Sequence, residues 1–444
     1  MTSNRPRLLL LAFAFPPSRA IGAVRCWNFA KHLSRFGWEV EVVTLDPALL
    51  TDRDAATDIS TLCREAKVTR RLTQHDWRFL MGGYLAPRWW EKGRLLQKVS
   101  SRLARAMWIG TEAGWTSAAW RACAGLHPGA VDVILASGPP YGAFVLAARL
   151  SAKLQAPFIL DYRDLWTLSP HRQGVPPQWL VRREQRVLSA ADGVLVVSEA
   201  MADCLQQRFG LASRPHLTTN GFDPEDFAGI QPAAFEDFAV VYAGNFYRPK
   251  RVIEPVLAAI RLANQNATGA RRPIRLHYYG KETSYVKEAA KVVGAHLWTV
   301  THGVVSREIV LAAMKGAGAA AVITSVEAHA SPQDSSILTG KLFEALGAGA
   351  PVLLVAPPNT EVVRVVETSR RGRAFGGAQV AEMADWLRQL ADGRVQSPGW
   401  RIETYSWPLI AERLDGFLRP LIHRRGRPQA IPARTACPLN QGNL

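Results

Sequence analysis

Short apolar runs recur along the chain at residues 8–15, 40–45, 133–137, 158–161 and 194–198. Each is continuous rather than alternating and rich in Leu, Val and Ile, the pattern of parallel strands covered on both faces. Residues 23–36, 141–154 and 182–190 lie between these runs and carry helical spacing, so strand and helix alternate and the predicted class is α/β. A second series of runs follows at 240–243, 276–279, 320–324 and 352–355. Residues 222–238, rich in Asp, Glu, Pro and Gly, separate the two series and read as a linker. The pattern predicts two doubly wound, Rossmann-like domains facing across a cleft, with ligands at the carboxyl ends of the strands.

The length of 444 residues, with 48% apolar and 20% charged residues, suits two globular domains. Residues 51–114 interrupt the first series as an insertion that offers no convincing strand. Charge concentrates there: Arg64 to Arg105 holds 11 Lys or Arg against 3 Asp or Glu, interleaved with Trp77, Phe79, Tyr84, Trp89, Trp90 and, just beyond, Trp108. Basic residues mixed with indoles suit the anionic boundary of a bilayer; a solvated basic face is the other reading. Nucleic acid is set aside, because the net charge of +17 comes with no recognition motif. The run 8–15 is too short to span a bilayer and has no cleavage site, so it reads as a buried strand. Cys26, Cys63, Cys123, Cys204 and Cys437 are scattered and read as reduced thiols. The expected location is the cytoplasm, with the inner face of the plasma membrane as the surface the basic stretch would meet.

Candidate chemistry clusters where strands end. After the first run, Pro17 and Gly22 belong to a turn-rich loop that opens a helix, a place where unpaired backbone N–H groups can meet an anion. The fourth run delivers Asp161, Arg163 and Asp164, which either pair internally or face the cleft, Asp164 toward sugar hydroxyls and Arg163 toward phosphate. In the second series Gly244 and Asn245 follow a strand and Lys250 and Arg251 precede a helix, a cradle suited to a diphosphate. Residues 340–351 are the most informative stretch. Gly340 and Lys341 start a helix, and Glu344 shares a face with Lys341 and offers paired acceptor oxygens to ribose hydroxyls. Neither GxGxxG nor the P-loop pattern is present. No DxD carboxylate pair follows a strand, so neither a metal nor a cofactor is expected.

Taken in order, these stretches resemble glycosyltransferase family 4 from Leu8 to about Leu418. The resemblance is carried by Phe15-Pro16-Pro17 with Gly22, Ser137-Gly138-Pro139-Pro140, Asp161 to Trp166, Asn220-Gly221-Phe222-Asp223, Tyr242 to Asn245 and Gly340 to Glu344. It implies a GT-B fold: an acceptor-side domain over 1–226, a nucleotide-sugar domain over 236–403 and a helix crossing back over 404–420; residues 421–444, with Arg, Pro, Gly and Asn, read from their composition as a disordered tail. It implies a retaining transferase of the bacterial surface-polysaccharide type, acting on a nucleotide diphosphate sugar and a saccharide or lipid-linked acceptor. Glu344 would hold the ribose, Lys250 and Lys341 the diphosphate; Arg163 and Asp164 would lie near the transferred sugar, and the Gly22 loop would close over the phosphates. Three positions depart from the family pattern. Ser336 replaces the first of two paired glutamates, Asn245 stands at a phosphate arginine, and Arg163 stands at a histidine. A GT-B epimerase and a catalytically silent membrane-associated binding protein are the competing readings.

Overall fold

The computed structural model describes residues 5–18, 20–50, 53–54, 57–73, 113–169, 174–265, 272–394 and 402–422. Two parallel sheets organise them. The first runs in the order β3-β2-β1-β4-β5-β6-β7, from β1 (Arg7–Ala12), β2 (Glu39–Leu45), β3 (Val68–Thr73), β4 (Val133–Gly138), β5 (Phe158–Tyr162), β6 (Gly193–Val196) and β7 (His216–Leu217). The second has the order β10-β9-β8-β11-β12-β13, from β8 (Phe238–Ala243), β9 (Ile274–Tyr279), β10 (Thr299–Gly303), β11 (Ala319–Ile323), β12 (Val352–Val355) and β13 (Gly372–Phe375). Both orders reverse direction beside their first strand, which opens a crevice at the carboxyl ends between β1 and β4 and between β8 and β11.

Alternation along β1 shows why the strands read as unbroken apolar runs. Leu9 and Leu11 pack under the helix Gly142–Leu154, against Leu146 and Leu150. Leu8 and Leu10 face the other way, toward Phe29 and Leu33 of the first helix, Ile21–Arg35. The last helix, Trp407–Ile422, joins this same face through Trp407, Ile410, Leu414 and Leu418, so the chain returns to the first domain. Outgoing and returning segments are bonded where they cross: Phe222 N–H donates to Tyr405 at 3.0 Å and Trp407 N–H to Phe222 at 2.9 Å. Gly221 makes this approach possible, since a Cβ there would lie 2.5 Å from the Tyr405 carbonyl.

The segment 51–114 was expected to hold no strand, yet β3 lies within it and pairs in parallel with β2 from Val40↔Val68 to Leu45↔Thr73. β3 is an edge strand carrying Arg70 and Arg71, so it lacks the apolar run of a strand buried on both faces. The aromatic residues from Trp77 to Trp108 and the tail from 423 lie outside the described residues. Among the described residues no helix is long and apolar enough to cross a membrane.

Candidate functional site

A cavity of about 250 Å³ opens between the two sheets. Its second-domain wall is built from strand ends, Gly244 after β8, Tyr279 and Gly280 at the end of β9, and Gly303 to Val305 at the end of β10, closed by Gly340, Lys341 and Glu344. The first domain and its crossing segments contribute Arg25, Asn220, Gly221 and Trp407. The pocket therefore lies at the carboxyl ends of β8, β9 and β10, the side of a doubly wound sheet that takes ligands.

The helix Gly340–Ala348 supplies the polar end of the wall. Thr339 precedes it in an extended conformation and no side chain caps it, and Gly340 and Lys341 of its first turn line the cavity. Lys341 reaches across to Gly244, where a Cβ would overlap its ammonium, and its Nζ lies 5.7 Å from the centre of the Tyr242 ring. Gly244 holds φ +140°, open to glycine and strained for other residues. Burial pushes the Lys341 ammonium down to about 8, and the nearby Arg251 charge adds to the shift. One turn on, a Glu344 oxygen accepts from Arg307 Nη2 at 3.0 Å.

On the opposite side the first domain presents a saturated ion pair. Arg25, on the first helix, binds Asp161 at the end of β5 through Nε and Nη2, the shortest contact being 2.6 Å. Its other N–H groups go to the carbonyls of Thr218 and Thr219, both at 2.8 Å, and Ser137 donates to Asp161 at 2.7 Å. Asp161 thus holds the first helix, β4, β5 and the crossing segment together. Between the two readings of that strand end, internal pairing is the one Asp161 follows.

The predicted site residues fall into two groups. Gly244, Gly340, Lys341 and Glu344 meet in one wall. Pro17, Gly22, Arg163, Asp164, Asn245 and Lys250 do not line it. Arg163 lies against Gly22, where a Cβ would overlap its guanidinium, and donates to the Pro139 carbonyl; Asp164 is exposed. Pro17 is buried, and its carbonyl accepts from Asp54 N–H at 2.7 Å. The Asn245 carbonyl accepts from the Tyr242 hydroxyl at 3.2 Å. Lys250 is clasped by Asp334 at 2.8 Å and Glu327 at 3.4 Å, so its charge is already matched. Ser336 is buried, and its carbonyl accepts from Ser198 across the domain boundary at 2.9 Å.

Arg25 and Arg307 were not picked out by sequence reasoning, and Asn220 and Trp407 entered only through the family resemblance. A signal for Arg307 existed. It opens the helix Arg307–Gly316, where the macrodipole disfavours a cation unless acids compensate it.

Comparison with known proteins agrees with this fold. Residues 22–226 match the family model of Glycosyltransferase Family 4. Sucrose-phosphate synthase from Thermosynechococcus elongatus superposes with a TM-score of 0.61 at 16% identity, over 94% of this chain and 100% of that one. The fold is GT-B. A second GT-B structure, a glycosyltransferase from Rickettsia africae, gives a TM-score of 0.57 at 11% identity over 95% of this chain and 100% of that one. HepE of Anabaena, solved with UDP and glucose, gives 0.52 at 16% identity over 95% and 98%. No curated protein matches the sequence significantly.

Proposed function

We propose that this GT-B protein is a glycosyltransferase that moves a sugar from a nucleoside diphosphate donor, bound in the second-domain wall, to a saccharide or lipid-linked acceptor. One observation carries the proposal. Gly244, Gly340, Lys341 and Glu344 converge on one wall of the interdomain pocket in a GT-B fold. Glu344 accepts the ribose hydroxyls, the first turn of the helix Gly340–Ala348 and Lys341 receive the diphosphate, and the sugar projects toward the first domain. The bond between the anomeric carbon and the diphosphate oxygen breaks while the acceptor hydroxyl bonds to that carbon from the same face. The hydroxyl proton passes to the departing phosphate, so configuration is retained without a protein nucleophile. The protein acts by positioning and by stabilising charge on the diphosphate. The UDP and glucose bound to HepE support a sugar nucleotide as the donor class. An acceptor in cell-surface polysaccharide synthesis, presented at the membrane, agrees with the basic aromatic sequence between Arg64 and Arg105.

A second reading has an observation of its own. Lys250 is matched by Asp334 and Glu327, as a chain that has stopped turning over a donor and survives as a binding protein would allow. Incubation with UDP-, GDP-, dTDP- and ADP-sugars, with and without magnesium and with membrane extract as acceptor source, separates the readings. Release of free nucleotide with transfer of the sugar is expected. Binding without release supports the silent protein, and recovery of an epimerised donor supports an epimerase.

A further inference from the structure

Between the pocket and the first domain lies a chain of charges that alternates in sign. Arg307 Nη2 stands 3.0 Å from Glu344 Oε1 and 2.9 Å from Asp226 Oδ2, so one nitrogen is shared by a pocket carboxylate and a carboxylate of the interdomain segment. Burial works against the charge on Arg307, but Glu344 and Asp226 together outweigh it and raise its pKa. Asp226 sits on the short helix Pro224–Phe227. The start of that helix is fastened to the first domain: Asp223 accepts from Lys31 at 2.8 Å and pairs with His32 at 2.9 Å, and Glu225 pairs with Lys31 and Arg35. Its far end is fastened to the second domain, where Lys315 donates to the carbonyls of Phe227 and Ile230 at 3.1 and 2.7 Å.

We infer that Arg307 is a positioning residue for Glu344, and that its pair with Asp226 makes donor affinity depend on how the interdomain segment is seated. This rests on the donor reading of Glu344 given above. A carboxylate with one oxygen held by a guanidinium cannot rotate freely, so its remaining lone pairs face the cavity in one orientation, as two neighbouring ribose hydroxyls require. Asp226 does not line the pocket, and among the described residues its ion pair toward the donor wall is made with Arg307. The spacing of the segment's partners, Lys31 and His32 at Asp223 on one side and Arg307 at Asp226 on the other, belongs to one arrangement of the two domains. Movement of the segment would pull on Arg307, and through it on Glu344. By linkage, a bound donor would in turn stabilise this arrangement.

Calorimetric titration with UDP, GDP, dTDP and ADP tests this on the full chain, as wild type and as Glu344→Ala, Arg307→Ala, Arg307→Lys, Asp226→Asn and the Arg307→Ala/Glu344→Ala double variant. Thermal unfolding of each variant shows how much of it is folded. The expected result is a loss of about tenfold in nucleotide affinity for Arg307→Ala, partial recovery in Arg307→Lys, and about threefold loss for Asp226→Asn. The double variant should bind no more weakly than Glu344→Ala alone, because Arg307 acts through Glu344. Affinity of folded Arg307→Ala within twofold of wild type, or additive losses in the double variant, overturns the positioning role. Unchanged affinity in Asp226→Asn overturns the coupling to the interdomain segment. Wild type that binds none of the four overturns the donor reading and this inference together, an outcome separate from binding that ignores Arg307.

Discussion

Two arginine–carboxylate pairs flank the same pocket and do opposite things. Arg25 and Asp161 are 1% and 0% exposed, and the guanidinium spends its donors on Asp161 and the carbonyls of Thr218 and Thr219. Arg307 and Glu344 are 41% and 27% exposed, and Glu344 lines the cavity. The first pair has nothing left for a ligand and serves as a bolt between the first helix, two strands and the crossing segment. The second is held on one side and open on the other. The contrast teaches that a charge at the carboxyl end of a strand is not in itself a sign of chemistry; what separates site from scaffold is how many of its hydrogen-bonding positions remain free.

The largest effect expected from that contrast is on stability. Arg25→Ala leaves Asp161 buried without its cation and should cost about 3–5 kcal/mol, read as a lower denaturant midpoint. Arg307→Ala, at a half-exposed pair, should cost no more than about 1 kcal/mol. Equal losses in the two variants would erase the distinction. Glu184 sharpens it from another side, as a fully buried carboxylate held by Tyr162 at 3.1 Å and the Thr167 N–H at 3.0 Å, with the Arg208 charge also acting on it. Burial pushes it up to about 7 against those hydrogen bonds. Its folded pKa lies above the unfolded value of about 4.5, so the folded chain holds the extra proton between them and stability falls as pH rises through that window. The fall should be about 3 kcal/mol, and Glu184→Gln should flatten it; an unchanged pH profile of unfolding in that variant would contradict the assignment.

The smallest effect belongs to the open side. Lys341, lowered to about 8, meets an anion only when protonated. Nucleoside diphosphate affinity should therefore be level from pH 7 to 8 and fall above 8, approaching about tenfold per unit. Lys341→Arg should remove the fall, because a guanidinium does not titrate in this range. A fall that persists in the arginine variant would assign it to another group.

How much of this was legible depended on where a residue's partners sit in the sequence. The central strands announce themselves because both faces are buried, as in β1, β4 and β12. β3, β7, β10 and β13 are the outer strands of their sheets, and Arg70, His216, Thr299 and Arg373 show why their sequences gave no apolar run. Lys341 and Glu344, which line one pocket wall, were readable as a candidate pair because one helix carries both. Arg25 was not: Asp161 lies 136 residues away and Thr219 194 residues away, so nothing local marks the pair. The same holds for Lys250, which looks like a free cation until the fold brings Asp334 to it from 84 residues on.

The central claim is that the second-domain wall holds a nucleoside diphosphate through Glu344. Calorimetry of UDP, GDP, dTDP and ADP against wild type and Glu344→Ala, each checked for an unchanged unfolding midpoint, tests it most directly. Wild type should bind one nucleotide selectively, and the variant should lose at least about tenfold in affinity. Absence of binding by wild type, or equal binding by the folded variant, would contradict it.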